Sequence, residues 1–114
     1  MVPKDLVAAT SGMMVLSVLS QRESYGYAIG KRIREVTEGT MEWADGMLYP
    51  VLHRLEGNGF VRAEWRKSDG GRRRKYYKIT ESGRKELQRM REQWSAVDAA
   101  LLALAGQSDA DGRE

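Results

Sequence analysis

A chain of 114 residues, 41% hydrophobic and 31% charged, has the length of one domain and the balance of a folded protein rather than a disordered one. It has no cysteine and a single histidine, which excludes disulfides, thiol catalysis and a His/Cys transition-metal centre. The net charge is only +3, yet Arg62 to Lys78 carries eight Lys/Arg against two acids, a concentration that suits a polyanionic partner.

The elements follow in chain order. Pro3 precedes a first helix from Lys4 or Asp5 to Ser20, where a missing amide donor costs little. Its apolar stretch, Leu6 to Leu19, is interrupted by Thr10, Ser11 and Ser17 and is too short for a bilayer. Apolar residues lie on several of its sides, so it is expected to pack against more than one neighbour. Ser24 is the expected N-cap of a second helix, Tyr25 to Glu38, with Tyr25, Ile29, Ile33 and Val36 on one face and Gly39 as its C′ residue. After a turn over Gly39–Ala44, Asp45 caps a third helix to about Gly57. Its apolar face is Leu48, Val51, Leu52 and Leu55; Met47, Tyr49, Pro50, His53 and Arg54 lie opposite.

Two alternating runs come next. Val61, Ala63 and Trp65 interleave with Arg62, Glu64 and Arg66; Tyr77 and Ile79 interleave with Arg74, Tyr76 and Lys78. Period two marks half-buried strands, and Ser68-Asp69-Gly70-Gly71 between them is a turn. Thr80 caps a last helix, Glu81 to Ala105, and a polar, frayed tail follows from Gly106. The predicted fold is mainly α with a small β-hairpin: a winged helix-turn-helix over 1–80, a long dimerisation helix over 81–105 and a flexible tail over 106–114.

In that fold the third helix is the reader. His53 and Arg54 can donate to guanine N7 and O6, and Tyr49 suits a phosphate. Arg72, Arg73, Arg74 and Lys75 follow a glycine turn, so a hairpin tip can bring four cations close to phosphates or into a narrow minor groove. The same charges also suit a solvated wing whose edge strand is protected from aggregation. Tyr25 and Tyr27 open the second helix. Tyr27 is a candidate phosphate donor; Tyr25 suits the core equally well.

On the last helix Leu87, Met90, Trp94, Val97, Leu101 and Leu104 recur at the three-four spacing of a coiled-coil seam. The seam pairs either within the chain or with a second subunit, and a homodimer would match a pseudo-palindromic operator. Trp94 with Asp98 one turn on suits a planar aromatic or cationic ligand, or else Trp94 is core and Asp98 is solvated. Met13 and Met14 can line an adaptable pocket or fill gaps in a core. Trp43 and Trp65 are expected to pack rather than bind. No catalytic constellation, metal cluster or cofactor loop is visible, so neither an enzyme nor a cofactor is expected.

The sequence resembles the PadR family of bacterial transcriptional regulators. The resemblance rests on Tyr25-Gly26-Tyr27, on Leu48-Tyr49-Pro50 with Arg54-Leu55-Glu56, and on Gly70-Gly71-Arg72-Arg73-Arg74-Lys75-Tyr76-Tyr77 followed by Thr80-Glu81-Ser82-Gly83. It covers about Leu6 to Leu104 and is similar to the small subgroup with one C-terminal helix. It implies a dimeric, cytoplasmic repressor whose last helix meets the partner's first helix, with double-stranded DNA contacted at Tyr49 and along the Arg72–Lys75 wing. It also implies an aromatic effector at the dimer interface, stacked on a tryptophan in the position of Trp94. The stretch Ser11-Gly12-Met13-Met14 departs from that pocket. The competing expectation is a winged-helix module that binds protein rather than DNA.

Overall fold

The computed structural model describes the backbone of residues 2–41 and 45–112, and side chains over 2–41 and 46–106. In chain order the described elements are α1 (Lys4–Gln21), β1 (Ser24–Tyr25), α2 (Gly26–Val36), α3 (Asp45–Gly57), β2 (Val61–Lys67), β3 (Arg73–Ile79) and α4 (Glu81–Gly112). The strands form an antiparallel sheet in the order β1-β3-β2. This is the helix, helix, helix, hairpin, helix order of a winged helix-turn-helix, with one short strand added.

That strand corrects one expectation. Ser24 does not cap α2; its backbone pairs with Tyr77, and Tyr25 pairs with Tyr76. Tyr25 is instead the N-cap residue, in extended conformation and without a side-chain cap bond. Helix α2 ends at Val36 rather than Glu38, and its C′ position shifts by one residue. Gly39 N donates to Arg34 O at 3.0 Å and Glu38 N to Glu35 O at 3.3 Å, which is a Schellman closure with Glu38 at C′. Glu38 at C′ takes the left-handed conformation (φ 52°), and Gly39 behind it is left-handed as well (φ 78°). Trp43 lies outside the described residues.

The core forms around α1. Val15, Leu16 and Leu19 are buried together with Ile29 and Ile33 of α2, Leu48, Val51, Leu52 and Leu55 of α3, Val61, Tyr77 and Ile79 of the sheet, and Leu87 of α4. Burying this helix also buries Thr10 and Ser11. Their hydroxyls donate back to the helix itself, Thr10 to Leu6 O at 2.8 Å and Ser11 to Ala8 O at 2.9 Å, so both buried hydroxyls are paired.

Helix α3 ends in a second Schellman closure: Gly59 N to Glu56 O at 3.0 Å and Phe60 N to Leu55 O at 2.9 Å, with Gly59 at φ 78°. The chain enters β2 directly. At the other end of the hairpin, Thr80 Oγ1 accepts from Gly83 N at 3.0 Å and caps α4 as expected. The same hydroxyl donates to Gly59 O at 2.7 Å, which ties the start of α4 to the end of α3.

Helix α4 runs on to Gly112, past the boundary expected at Ala105 and through the segment expected to be a frayed tail. One glycine inside a helix costs about 1 kcal/mol and does not by itself end it. At 32 residues the helix is about 48 Å long. It gives the molecule a long axis of 69 Å and a radius of gyration of 17.4 Å, against about 13 Å for a compact chain of this length.

Candidate nucleic-acid interface

The hairpin register is Val61 opposite Ile79, Ala63 opposite Tyr77, Trp65 opposite Lys75 and Lys67 opposite Arg73. The tip closes through Ser68 N to Arg72 O at 2.7 Å and Gly71 N to Ser68 O at 2.9 Å. Gly71 takes φ 79°, a conformation that costs a side-chain-bearing residue energy. The turn therefore delivers Arg72 at the tip and Arg73 as the first residue of β3, both exposed.

Between this wing and helices α2 and α3 lies an open groove of about 670 Å³. Tyr25, Gly26 and Tyr27 line one side, Tyr49 and His53 the floor, and Trp65, Arg72, Arg73, Arg74, Lys75 and Tyr77 the other side. Tyr49 and His53 meet there because they are four residues apart on α3, one above the other. Gly26 is what lets Tyr49 sit as it does, since a Cβ on that glycine would stand 2.8 Å from the Tyr49 hydroxyl oxygen.

Of the residues expected to contact DNA, Arg54 alone is placed elsewhere. One step along the helix turns it about 100° from His53. It lines a separate groove of about 370 Å³ with Met13, Met90, Trp94 and Val97. The adjacency of His53 and Arg54 in sequence gave no reason to keep both on one face.

The wing cations are not equivalent. The Arg74 guanidinium lies 4.4 Å from the centroid of the Tyr25 ring, and the Arg73 guanidinium 5.3 Å from that of Trp65. Lys75 Nζ is 3.7 Å from Glu56 Oε1, so part of its charge faces α3. On the far side of the sheet, Arg66 makes two bonds to the Glu23 carboxylate, at 2.5 and 2.9 Å, and one to Glu64 at 3.1 Å. The hydrogen bond from Arg66 holds the Glu23 carboxyl below its ordinary pKa, and the same bond raises Arg66 further. Arg66 also lies over Tyr76, whose ring meets Tyr25 edge-on at 5.3 Å. This cluster joins the wing to β1 and so to the start of α2. The sequence reading missed it, because Glu23 and Arg66 are 43 residues apart.

Trp65 was expected to pack. It is 58% exposed. Its strand alternates correctly, but the core ends before the hairpin does.

The residues expected at the dimer seam divide into two groups. Leu87 is only 3% exposed and belongs to the chain's own core, which corrects its assignment to an intersubunit seam. Met90 packs beside that core, and Trp94 is half-buried. Val97, Leu101 and Leu104 stand 49%, 60% and 60% exposed on the projecting part of α4. In the groove beside α1, Glu86 is held below its ordinary pKa by its hydrogen bonds from Arg89. Trp94 and Met13 line that groove; Asp98 is exposed and is not among the lining residues.

Fold and groove together define a winged helix-turn-helix transcriptional regulator. The sequence profile described as the Transcriptional regulator PadR-like family matches residues 15–89, and the chain belongs to that family. A transcriptional regulator of Clostridium thermocellum has a similar structure, with a TM-score of 0.80 and 31% identity over 86% of this chain and 95% of that one. A PadR family regulator of Eggerthella lenta superposes with a TM-score of 0.77 at 31% identity, over 88% of this chain and 85% of its own. A transcriptional regulator of Escherichia coli is 30% identical over 91 residues, which are 80% of this chain but 42% of that protein. Among the described residues no helix is long and apolar enough to cross a membrane.

Proposed function

We propose that the protein is a homodimeric, sequence-specific DNA-binding repressor whose α3 enters the major groove while the wing holds the flanking backbone. The observation that carries this reading is the groove itself. It gathers Tyr27, Tyr49, His53 and Arg72–Lys75 from three separate stretches of chain around one basic, open surface. An exposed helix face beside a cationic hairpin is the arrangement that combines base contacts with phosphate contacts.

Dimerisation is supported by Val97, Leu101 and Leu104, apolar side chains left bare on a helix that projects from its own domain. A helix seam of this kind is stabilised by burial against another helix, at about 2 kcal/mol for each leucine. Leu101→Asp places a charge at the seam of both subunits. The expected result is a sedimentation mass that falls from twice the chain mass to once, with duplex affinity falling as the second reading head is lost. A variant that stayed dimeric, or a wild type that was monomeric at micromolar concentration, would contradict the seam.

An effector site is the finer part of the proposal. Trp94 with Met13 lines the groove between α1 and α4, and a planar aromatic molecule there would change the spacing of the two reading heads. Planar aromatic cations are expected to quench tryptophan emission in the wild type and not in Trp94→Ala. Equal quenching in both would remove Trp94 as the platform.

A further inference from the structure

The alternation of β2 has a consequence at its outer end. Val61 and Ala63 face inward and are covered by the core, and Trp65 follows them on the same face. Helix α3 closes at Gly57 and the buried cluster ends at Val61, Tyr77 and Ile79, so the inward side of the hairpin outruns what the domain can cover. Trp65 consequently points into the groove that holds Tyr49 and His53, with more than half of its surface open. The Arg73 guanidinium lies over its ring, and Arg72 stands beside it at the tip; Arg74, opposite Arg66, turns to the other face of the sheet and lies over Tyr25.

An indole in this position exposes a large apolar surface at the centre of the most cationic part of the molecule. A ligand that satisfies both features has to alternate negative charge with apolar edges. The sugar–phosphate backbone does so, with each deoxyribose between two phosphates. We infer that Trp65 is a DNA-contacting residue of the wing, whose ring packs against the deoxyribose edges of the flanking groove while the arginines beside it take the phosphates. This rests on the DNA-binding reading above and adds a contact that is apolar, hence independent of salt, to a wing otherwise read as purely electrostatic.

The test compares wild type, Trp65→Ala, Trp65→Phe and Arg73→Ala on a mixed-sequence DNA duplex of about 30 bp, long enough for two half-sites, across a salt series. Trp65→Ala is expected to lose roughly 10-fold in affinity at every salt concentration with the salt slope unchanged, as aromatic contacts to nucleic acid do. Trp65→Phe keeps most of the affinity. Arg73→Ala lowers the slope instead. Thermal unfolding of Trp65→Ala should stay within a few degrees of wild type, since an exposed side chain is removed. As a second measurement, duplex addition should change the tryptophan emission of the wild type and leave that of Trp65→Phe unchanged. Wild-type affinity and slope in Trp65→Ala would overturn the contact while the DNA reading stands. A slope reduced to that of Arg73→Ala would show that Trp65 acts only by placing Arg73, and would also overturn it. A wild type that fails to bind the duplex at low salt would remove the DNA reading and this inference together.

Discussion

Gly83→Ala is expected to destabilise the protein by about 3 kcal/mol, which for a domain of this size lowers the melting temperature by roughly 10–20 °C. The reason lies at the joint between the hairpin and α4. A Cβ at position 83 would fall within contact radius of the Phe60 carbonyl oxygen, with Ile79 Cγ1 2.8 Å and the Phe60 carbonyl carbon 2.9 Å away. Neither obstacle is the end of a flexible side chain. The Phe60 carbonyl is held as the acceptor of Thr80 N at 3.0 Å, and Ile79 is in the core. Relief requires α4 to back away from the start of β2, which also breaks the Thr80 cap to Gly83 N and loosens Leu87. Alanine is otherwise the better helix residue, so a helix-propensity argument predicts a gain. A thermal melt decides between the two, and a melting temperature equal to or above wild type would contradict the close packing at Gly83.

The regular elements were legible because their signals are local. Apolar spacing of three and four marked α2 and α3, period two marked the hairpin, and Thr80 marked the start of α4. What escaped depended on partners distant in sequence. Ser24 carries the side chain of an N-cap, and nothing near it in sequence reveals that its backbone pairs with Tyr77. Trp65 has the alternation of a core residue, and its exposure follows from where α3 stops rather than from its own strand. Arg54 is next to His53 in sequence, yet the turn of about 100° between them carries it to the groove beside α1 and α4. The apolar stripe on α4 has two fates: Leu87 is consumed by the chain's own core, whereas Val97, Leu101 and Leu104 are left bare. Helix α4 continues through Gly106, because the cost of a lone glycine is smaller than the stabilisation of the helix around it.

The wing carries the second large effect, and with it the central claim that the basic groove binds duplex DNA. Each phosphate neutralised by an arginine contributes about 0.9 to the slope of log affinity against log salt, so Arg72, Arg73 and Arg74 together account for about 2.7 per DNA-bound subunit. At about 0.15 M salt that corresponds to roughly 10²-fold in affinity for each subunit engaged. Two of the three are already stacked on aromatic rings, Arg73 on Trp65 and Arg74 on Tyr25, so their side chains are partly ordered before DNA arrives. Ordering beforehand lowers the entropic cost of contact. Because Arg74 also braces the wing against Tyr25, the alanine variant needs a melting curve beside its binding curve. The decisive measurement is duplex affinity as a function of salt for wild type and for the Arg72→Ala, Arg73→Ala, Arg74→Ala triple variant. The expected result is a folded variant whose binding is roughly 10²-fold weaker and whose salt slope is shallower by about 2.7 for each subunit engaged on the duplex. A folded variant with the affinity and slope of the wild type would mean that the groove between α3 and the wing is not where this protein meets DNA.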